Sequence, residues 1–214
     1  MKRILLIVGG GIAAYKASEL IRLAKKAGIG VKCVLTAGGQ HFVTPMTLAA
    51  LSEEQVYTTL WDLKDETEMG HIQLSREADL IVVAPATADL MAKMAAGIAD
   101  DLATTLLLAT DKPVLAAPAM NVRMWQHPAT MRNVATLRGD GVTVMEPDEG
   151  PMACGEFGPG RMAEPFGADR RKACAAIPLR QTIEHGVRQH PKQIGRTDGD
   201  AVRRKVRRRK VQIG

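Results

Sequence analysis

A short apolar strand that runs directly into three glycines most constrains the fold of this chain. After its first residue, Arg3–Val8 is entirely apolar and rich in branched side chains, and Gly9, Gly10 and Gly11 follow it at once. Such a run is typical of a strand that is buried on both faces of a parallel sheet. The glycines then open a segment with helical spacing over 12–27. The sequence therefore predicts a strand–turn–helix unit at the N-terminus.

Short apolar strands and helical segments continue to alternate along the chain as far as residue 145. Further strands are predicted over 31–35, 78–84, 113–117 and 142–145, and further helices over 44–51, 90–97, 99–109 and 128–138. This alternation predicts an α/β fold, a three-layer, doubly wound parallel sheet of the Rossmann-like type. Ligands of such sheets bind outside the carboxyl ends of the strands, so we expect functional residues directly after strands.

The charge of the chain divides it into two parts. Residues 1–165 carry 15 Lys and Arg against 19 Asp and Glu, a net charge of −4, whereas residues 166–214 carry 14 against 4, a net charge of +10. The second part also loses the apolar pattern. We therefore expect a folded domain over 1–165 and a basic, weakly ordered tail over 166–214. The basic run over 203–210 would suit RNA binding, but we favour a solvated tail and expect no nucleic-acid partner.

The cysteines and the apolar runs indicate the cellular compartment in which the protein is expected. Cys33, Cys154 and Cys174 form no CxxC pair and no metal-ligand cluster, and a sparse, odd count suits a reducing cytoplasm better than a disulfide framework. No apolar run approaches the roughly 18 residues that a membrane span requires. The sequence thus predicts a cytoplasmic protein with neither a bound metal nor a membrane partner.

The glycine segment indicates which nucleotide such a domain would bind. Gly9–Ala14 reads G-x-G-x-x-A, a pattern in which backbone N–H groups at a helix start contact a phosphate. A dinucleotide site also needs an acidic residue at the end of the second strand, but that strand is followed by Thr36 and then by Ala37, Gly38 and Gly39. A hydroxyl and glycines favour a terminal phosphate, and so FMN over NAD. A tight turn that binds no phosphate would give the same glycine pattern.

Four motifs lie further along the chain, in the segments 70–72, 84–102, 118–125 and 153–165. The third reads P-x-M-N-x-x-M-W and the fourth A-C-G-x-x-G-x-G-x-M-x-x-P. In collinear order over residues 3 to 165, the chain resembles the phosphopantothenoylcysteine decarboxylases, which belong to the homo-oligomeric flavin-containing cysteine decarboxylases. The resemblance implies an FMN-dependent enzyme that converts 4′-phosphopantothenoylcysteine to 4′-phosphopantetheine on the route to coenzyme A.

The resemblance also implies roles for individual residues. His71 would be a base near the flavin, and Cys154 a proton donor on a clamp that closes over the substrate. Asn121 would hold the substrate carboxylate, with Met124 and Gly155 beside it. The implied flavin contacts are Gly10, Gly11, Ile12, Thr36, Pro85, Ala86, Thr87, Asp89 and Ala119. Each assignment has an ordinary alternative, such as a turn for Asn121, core packing for Met124 and a solvent-facing or capping side chain for Asp89.

The implied chemistry avoids a difficult carbanion. A simple carboxylate loses CO₂ reluctantly, so the thiol end of the substrate is first oxidised by the flavin, CO₂ then leaves, and the hydride returns while Cys154 supplies a proton. The resemblance further implies a homotrimer or a multiple of trimers. A peptide C-terminal cysteine decarboxylase and a non-enzymatic, phosphatase-regulatory relative remain alternatives. Residues 166–214 do not resemble the CTP-dependent ligase domain that bacteria often fuse to this one, so the chain is either a stand-alone decarboxylase or a truncated or frame-shifted relative.

Overall fold

The fold is built on a parallel sheet of six strands, in a computed structural model that describes residues 2–60 and 70–164. The strands lie in the order β3-β2-β1-β4-β5-β6. Their bounds are β1 Arg3–Val8, β2 Gly30–Leu35, β3 Val56–Tyr57, β4 Leu80–Ala86, β5 Val114–Pro118 and β6 Thr143–Val144. All adjacent pairs are parallel, and the strand order reverses direction at β1. This arrangement confirms the predicted doubly wound sheet.

Helices cover both faces of the sheet, and a separate antiparallel hairpin follows β6 along the chain. The helices are α1 Lys16–Lys26, α2 Pro45–Ser52, α3 Gly70–Arg76, α4 Ala88–Ala96, α5 Leu102–Ala109, α6 Val122–Trp125 and α7 Pro128–Gly139. Two 3₁₀ turns span Ile12–Tyr15 and Gly39–His41. The antiparallel hairpin consists of β7 Asp148–Pro151 and β8 Phe157–Arg161. In the described segments, no helix has both the length and the apolar character that crossing a membrane would require.

Two separate cores on the two faces of the sheet explain why β1 is apolar throughout. Leu6 is fully buried in the core that also contains Ile21 of α1. Ile7, the next residue, points to the other face and is buried with Met91 of α4 and Leu106 of α5. Since successive strand residues face opposite sides, a strand covered on both sides must be apolar at every position. The two cores and the sheet between them are the three predicted layers.

The structure corrects several predicted boundaries. The helix predicted over 12–27 begins as the 3₁₀ turn Ile12–Tyr15, and α1 starts only at Lys16. The strand predicted over 78–84 is observed at Leu80–Ala86. The helix predicted over 99–109 begins at Leu102, because the Asp101 side chain accepts a 2.8 Å hydrogen bond from the N–H of Thr104 and caps α5. The sequence pattern thus located each of these elements but not its first residue.

Four elements had no counterpart in the sequence prediction, namely β3, α3, α6 and the β7–β8 hairpin. Strand β3 has two residues and α6 has four, which is too short for a periodic pattern. The hairpin strands are rich in Gly and Pro, which are depleted in strands generally. These elements form through contacts with the rest of the domain rather than through their own propensity.

The carboxyl ends of the central strands meet at one edge of the sheet. Val8 is in register with Leu35 across β1 and β2, and Ala86 with Pro118 across β4 and β5. The N–H of Thr36 donates a 3.1 Å hydrogen bond to the carbonyl of Val8, which continues the pairing past the end of β2. The predicted site segments that follow these four strands therefore lie next to one another.

Candidate active site

The glycine turn after β1 is closely packed at two residues and open at the third. A Cβ at Gly9 would lie 2.3 Å from the carbonyl oxygen of Pro85, and one at Gly10 would lie 3.2 Å from the backbone of Gly38. Gly11 has a φ of 100°, which favours glycine, and its Cβ would meet nothing within 4 Å. No side chain caps the 3₁₀ turn that Gly11 opens. The turn thus offers backbone groups and space to a ligand.

The Thr36 hydroxyl is used within the protein. It is buried, donates a 3.1 Å hydrogen bond to the carbonyl of Val8 and accepts a 3.0 Å hydrogen bond from the N–H of Gly39. In this arrangement its single proton is directed at Val8, so Thr36 braces the loop after β2 against β1. The prediction that Thr36 contacts a phosphate stays a prediction, and it would require this hydrogen bond to be exchanged.

The segment at the end of β4 combines buried backbone with capping side chains. Pro85 and Ala86 are buried within β4, and the carbonyl of Ala86 accepts a 3.1 Å hydrogen bond from the N–H of Ala119. Thr87 caps α4 by accepting from the N–H of Leu90 at 3.1 Å. Asp89 is exposed and lies 3.4 Å from Lys93 on the same helix. Thr87 and Asp89 thus have structural partners, and their predicted contact with a flavin is not tested by this geometry.

A cavity of about 440 Å³ lies between the glycine turn, the segment after β5 and the β7–β8 hairpin. Five predicted site residues line it together: Gly11, Ile12, Ala119, Asn121 and Cys154. The predicted residues that do not line it are Gly10, Thr36, Pro85, Ala86, Thr87, Asp89, Met124 and Gly155. The tertiary structure therefore brings the proposed proton donor and the proposed carboxylate anchor to the glycine turn, from which both are more than 100 positions away in the sequence.

The side-chain amide of Asn121 is fixed at both ends. Its Oδ1 accepts a 2.7 Å hydrogen bond from the N–H of Arg123, which caps α6. Its Nδ2 donates to Cys154 Sγ at 3.2 Å and also to the carboxylate of Glu156 through a short hydrogen bond. The Cys154 thiol in turn lies 3.7 Å from Glu156 Oε2. Asn121, Cys154 and Glu156 thus form a connected polar cluster that joins α6 to the loop of the hairpin.

Glu156 is the charged member of this cluster. Hydrogen bonds from Asn121 and then Arg123 lower the pKa of the Glu156 carboxyl below its usual value, more strongly than desolvation raises it. Arg123 Nε lies 3.2 Å from Glu156 Oε1, although the Arg123 side chain is 85% exposed. The carboxylate is therefore ionised and accepts hydrogen bonds near neutral pH.

Met124 and Gly155 lie beside this cluster without joining it. Met124 is half-exposed on α6, next to the buried Trp125. Gly155, between Cys154 and Glu156, has a φ of 83° and donates its N–H to the carbonyl of Met152 at 2.9 Å. The tight turn at Gly155 sets the directions in which the two neighbouring side chains point. Their predicted contact with substrate stays a prediction.

His71 lies in α3, at the second residue of that helix. The segment immediately before α3, residues 61–69, falls outside the described residues, and so does the side chain of His71. The predicted tail over 166–214, with Cys174, also lies outside them. The role predicted for His71 is therefore not tested by the geometry.

The sequence prediction gave no role to several charged residues around the cavity. Lys16 is buried and its Nζ donates to the carbonyl of Met162 at 2.7 Å and to Glu164 Oε1 at 2.6 Å, so it ties α1 to the end of the hairpin. Arg161 lines the cavity from β8. Glu156 lies two residues after Cys154 within the motif over 153–165, and this position was the one feature of the sequence that could have indicated its role. The contacts of Lys16 and Glu156 depend on tertiary structure.

Comparison with known proteins shows the family to which the chain belongs. A family model described as Flavoprotein matches residues 1–166. Among curated proteins, the coenzyme A biosynthesis bifunctional protein CoaBC of Vibrio vulnificus (strain YJ016) is 51% identical over 165 residues. The match covers 77% of this chain and 41% of that protein. The chain thus spans less than half the length of the curated relatives it matches.

Solved structures agree with the fold. A mutant of PPC decarboxylase complexed with pantothenoylaminoethenethiol has a TM-score of 0.69 and 35% sequence identity, covering 77% of this chain and 92% of that one. The FMN-dependent cysteine decarboxylase SpaF has a TM-score of 0.66 and 32% identity, covering 82% of this chain and 97% of that one. Both structures share the Rossmann-like flavoprotein architecture.

Proposed function

The chain belongs to the flavoprotein family, and from this we propose that it catalyses the FMN-dependent decarboxylation of 4′-phosphopantothenoylcysteine to 4′-phosphopantetheine in coenzyme A biosynthesis. One observation carries the proposal: Asn121 and Cys154 lie 3.2 Å apart on the wall of a cavity that also contains the glycine turn. The similarity to CoaBC and to PPC decarboxylase supports the same reaction. We further propose a cytoplasmic enzyme whose catalytic domain spans residues 1–165, with 166–214 as a basic tail.

The residues present at the glycine turn are compatible with FMN. Gly11 leaves open the space that a Cβ would fill, and the 3₁₀ turn after it has no side-chain cap. At Thr36 and the glycines that follow, no carboxylate would oppose a terminal phosphate. We propose that the cofactor is held by Gly10, Gly11, Ile12, Thr36, Pro85, Ala86, Thr87, Asp89 and Ala119.

Each side chain of the site has a task in this reaction. Bound FMN would supply the reversible two-electron oxidation of the substrate's thiol end. We propose that the Asn121 amide binds the substrate carboxylate with its N–H groups, because an amide donates without adding charge. His71 would accept a proton during the oxidation, since imidazole titrates near neutral pH. Cys154 would donate the final proton, with Met124 and Gly155 shaping the cavity around the cysteinyl end.

Exposed apolar side chains support the proposed assembly into trimers or multiples of trimers. Ile12 and Tyr15 on the glycine turn are 65% and 61% exposed, and Met46, at the start of α2, is 81% exposed. Large exposed apolar side chains are typical of surfaces that another subunit covers. Native mass spectrometry of the full chain would test the proposal, and a monomer at micromolar concentration would contradict it.

Two alternatives differ from this proposal in substrate or in chemistry. A peptide C-terminal cysteine decarboxylase would release CO₂ from a cysteine-ended peptide and not from 4′-phosphopantothenoylcysteine; similarity to SpaF keeps this alternative open. A non-enzymatic, phosphatase-regulatory relative would release CO₂ from neither. Offering both substrates to the same preparation separates the three functions.

The decisive experiment begins with the visible absorption spectrum of the purified protein. We expect a yellow protein with flavin bands that releases FMN on denaturation. In a second step, we expect the protein to release CO₂ from 4′-phosphopantothenoylcysteine. Asn121→Ala is the matched variant, which should keep the flavin and bind the substrate much more weakly. A colourless protein that takes up no added FMN would contradict the proposal, and bound NAD would show that the missing acid after β2 was misjudged.

A further inference from the structure

Glu156 contacts each residue that the polar cluster brings together. Its Oε2 accepts a short hydrogen bond from the Asn121 amide and lies 3.7 Å from the Cys154 sulfur. Its Oε1 lies 3.2 Å from Nε of Arg123. Glu156 itself does not line the cavity, whereas Asn121 and Cys154 both do. The carboxylate thus contacts two residues of the cavity wall without lining the cavity itself.

The orientation of the Asn121 amide depends on these contacts. An amide can rotate by half a turn and exchange its oxygen with its nitrogen. Here the oxygen faces the N–H of Arg123, a donor, and the nitrogen faces Glu156, a carboxylate that only accepts. The rotated amide would set its oxygen against the carboxylate and its NH₂ against an N–H, so both contacts would be repulsive. Glu156 and the N–H of Arg123 therefore favour the same orientation.

This selection decides what the amide offers to the cavity. An amide nitrogen has two hydrogens, and one of them is used by Glu156. The second points to Cys154 Sγ, at the cavity wall. A neutral sulfur is a weak acceptor, so an incoming carboxylate can displace it at little cost. The Arg123–Glu156 ion pair offsets the negative charge that would otherwise oppose an anionic ligand nearby.

We propose that Glu156 is a positioning residue that aims one N–H of Asn121 at the carboxylate of the substrate and holds Cys154 beside it. The proposal rests on the decarboxylase function proposed above and adds to it a residue that determines recognition of the carboxylate. Glu156 acts through Asn121 and does not itself touch the substrate. Its loss should therefore matter only for ligands that carry the carboxylate.

A matched pair of unreactive ligands tests this directly. The serine analogue of the substrate, 4′-phosphopantothenoylserine, keeps the carboxylate but lacks the thiol, and 4′-phosphopantothenoylethanolamine lacks both. Affinities are measured by calorimetry on the FMN-loaded full chain. We expect Glu156→Gln to weaken binding of the serine analogue about tenfold, the effect of losing one hydrogen bond that a charged group orients. A glutamine can present either end of its own amide to Asn121 and so no longer selects one orientation. Binding of the ethanolamine compound should be unchanged, because it has no carboxylate for the Asn121 amide to bind.

Two controls separate positioning from general damage. Glu149→Gln makes the same charge change on the exposed strand β7 of the same hairpin and should leave both affinities unchanged. In the Asn121→Ala background, Glu156→Gln should have no further effect on the serine analogue, because the residue through which it acts is gone. Glu156→Ala provides the same comparison if the glutamine variant does not fold.

The possible results are distinct. Equal weakening of both ligands, or an undiminished effect of Glu156→Gln in the Asn121→Ala background, would overturn the positioning role. Tighter binding of the serine analogue by Glu156→Gln would also overturn it, since Glu156 would then compete with the ligand for Asn121. If the wild-type protein binds neither FMN nor the serine analogue, the proposed function fails instead.

Discussion

The Asn121 amide donates a hydrogen bond to the sulfur of Cys154 across 3.2 Å, and so joins the segment after β5 to the loop of the β7–β8 hairpin. These residues are the proposed carboxylate anchor and the proposed proton donor. Their contact puts both ends of the proposed chemistry, binding of the carboxylate and return of the proton, at one position in the cavity. A substitution of either residue must therefore be judged by which half of the reaction it stops.

Cys154→Ser should separate the two halves of the reaction. A hydroxyl is a far weaker acid than a thiol, so oxidation and CO₂ loss should proceed while the final proton transfer becomes slow. Under anaerobic conditions we expect the flavin absorption band to bleach without recovering, with a product lighter than 4′-phosphopantetheine by the mass of H₂. Asn121→Asp should instead leave the flavin oxidised, because it sets a negative charge against the substrate carboxylate. If Cys154→Ser prevents bleaching altogether, Cys154 acts in the first half-reaction.

His71→Asn should keep the flavin and lose turnover. Like histidine, asparagine has a polar side chain with a planar group on Cβ, but it cannot accept a proton near neutral pH. We expect CO₂ release to fall by about 10²-fold or more, the usual contribution of general base catalysis, with an unchanged flavin spectrum. Turnover near the wild-type rate would show that the base is another residue, and loss of flavin would make His71 a binding residue.

Gly160→Ala should detach the hairpin from the site. Gly160 has a φ of 146°, and a Cβ there would lie 2.3 Å from the carbonyl oxygen of Met120. Its own carbonyl accepts the N–H of Met120 at 3.0 Å, next to Asn121. We expect a loss of about 2 kcal/mol in the free energy of unfolding, measured by denaturant titration. Gly139→Ala, at the end of α7 where a Cβ meets nothing within 4 Å, should be neutral or slightly stabilising. Equal effects would contradict this reading of the packing.

The two described cysteines should differ in reactivity and in their effect on stability at high pH. Burial raises the pKa of the Cys33 thiol to about 12, against a smaller opposing effect of its hydrogen bond with Ser52. The unfolded chain releases this proton from its ordinary value of 9.0 upward. As the pH rises from 9.0 towards about 12, the free energy of unfolding therefore falls, by up to about 1.4 kcal/mol per pH unit.

Cys33→Ala should remove this part of the pH dependence, measured by denaturant titration from pH 8 to 11 against the parent protein. In a Cys174→Ser background at pH 8, the exposed Cys154 should react with a thiol reagent and Cys33 should not. An unchanged slope in Cys33→Ala, or rapid labelling of Cys33 in the folded protein, would show that the thiol is accessible to solvent.

Much of the fold was predictable because it depends on patterns close together in the sequence. The continuous apolar run of Arg3–Val8 identified a strand buried on both faces, and the alternation of strands and helices identified the doubly wound sheet. The motifs around Asn121 and Cys154 identified the family by resemblance. In contrast, the hairpin was missed because Gly and Pro give no strand signal, and Asp101 moved the start of α5 by capping it.

The sequence by itself therefore determined the layers, the approximate positions of the strands and the residue types available for chemistry, since periodicity and turn residues act over a few positions. Only the tertiary structure decided which of these residues meet. Glu156 is separated from Asn121 by 35 positions and Lys16 from Glu164 by 148, yet each pair is joined by a hydrogen bond. No local propensity encodes such contacts. They exist because packing on both faces of the sheet brings the strand ends together, and the hairpin packs beside the segment that follows β5.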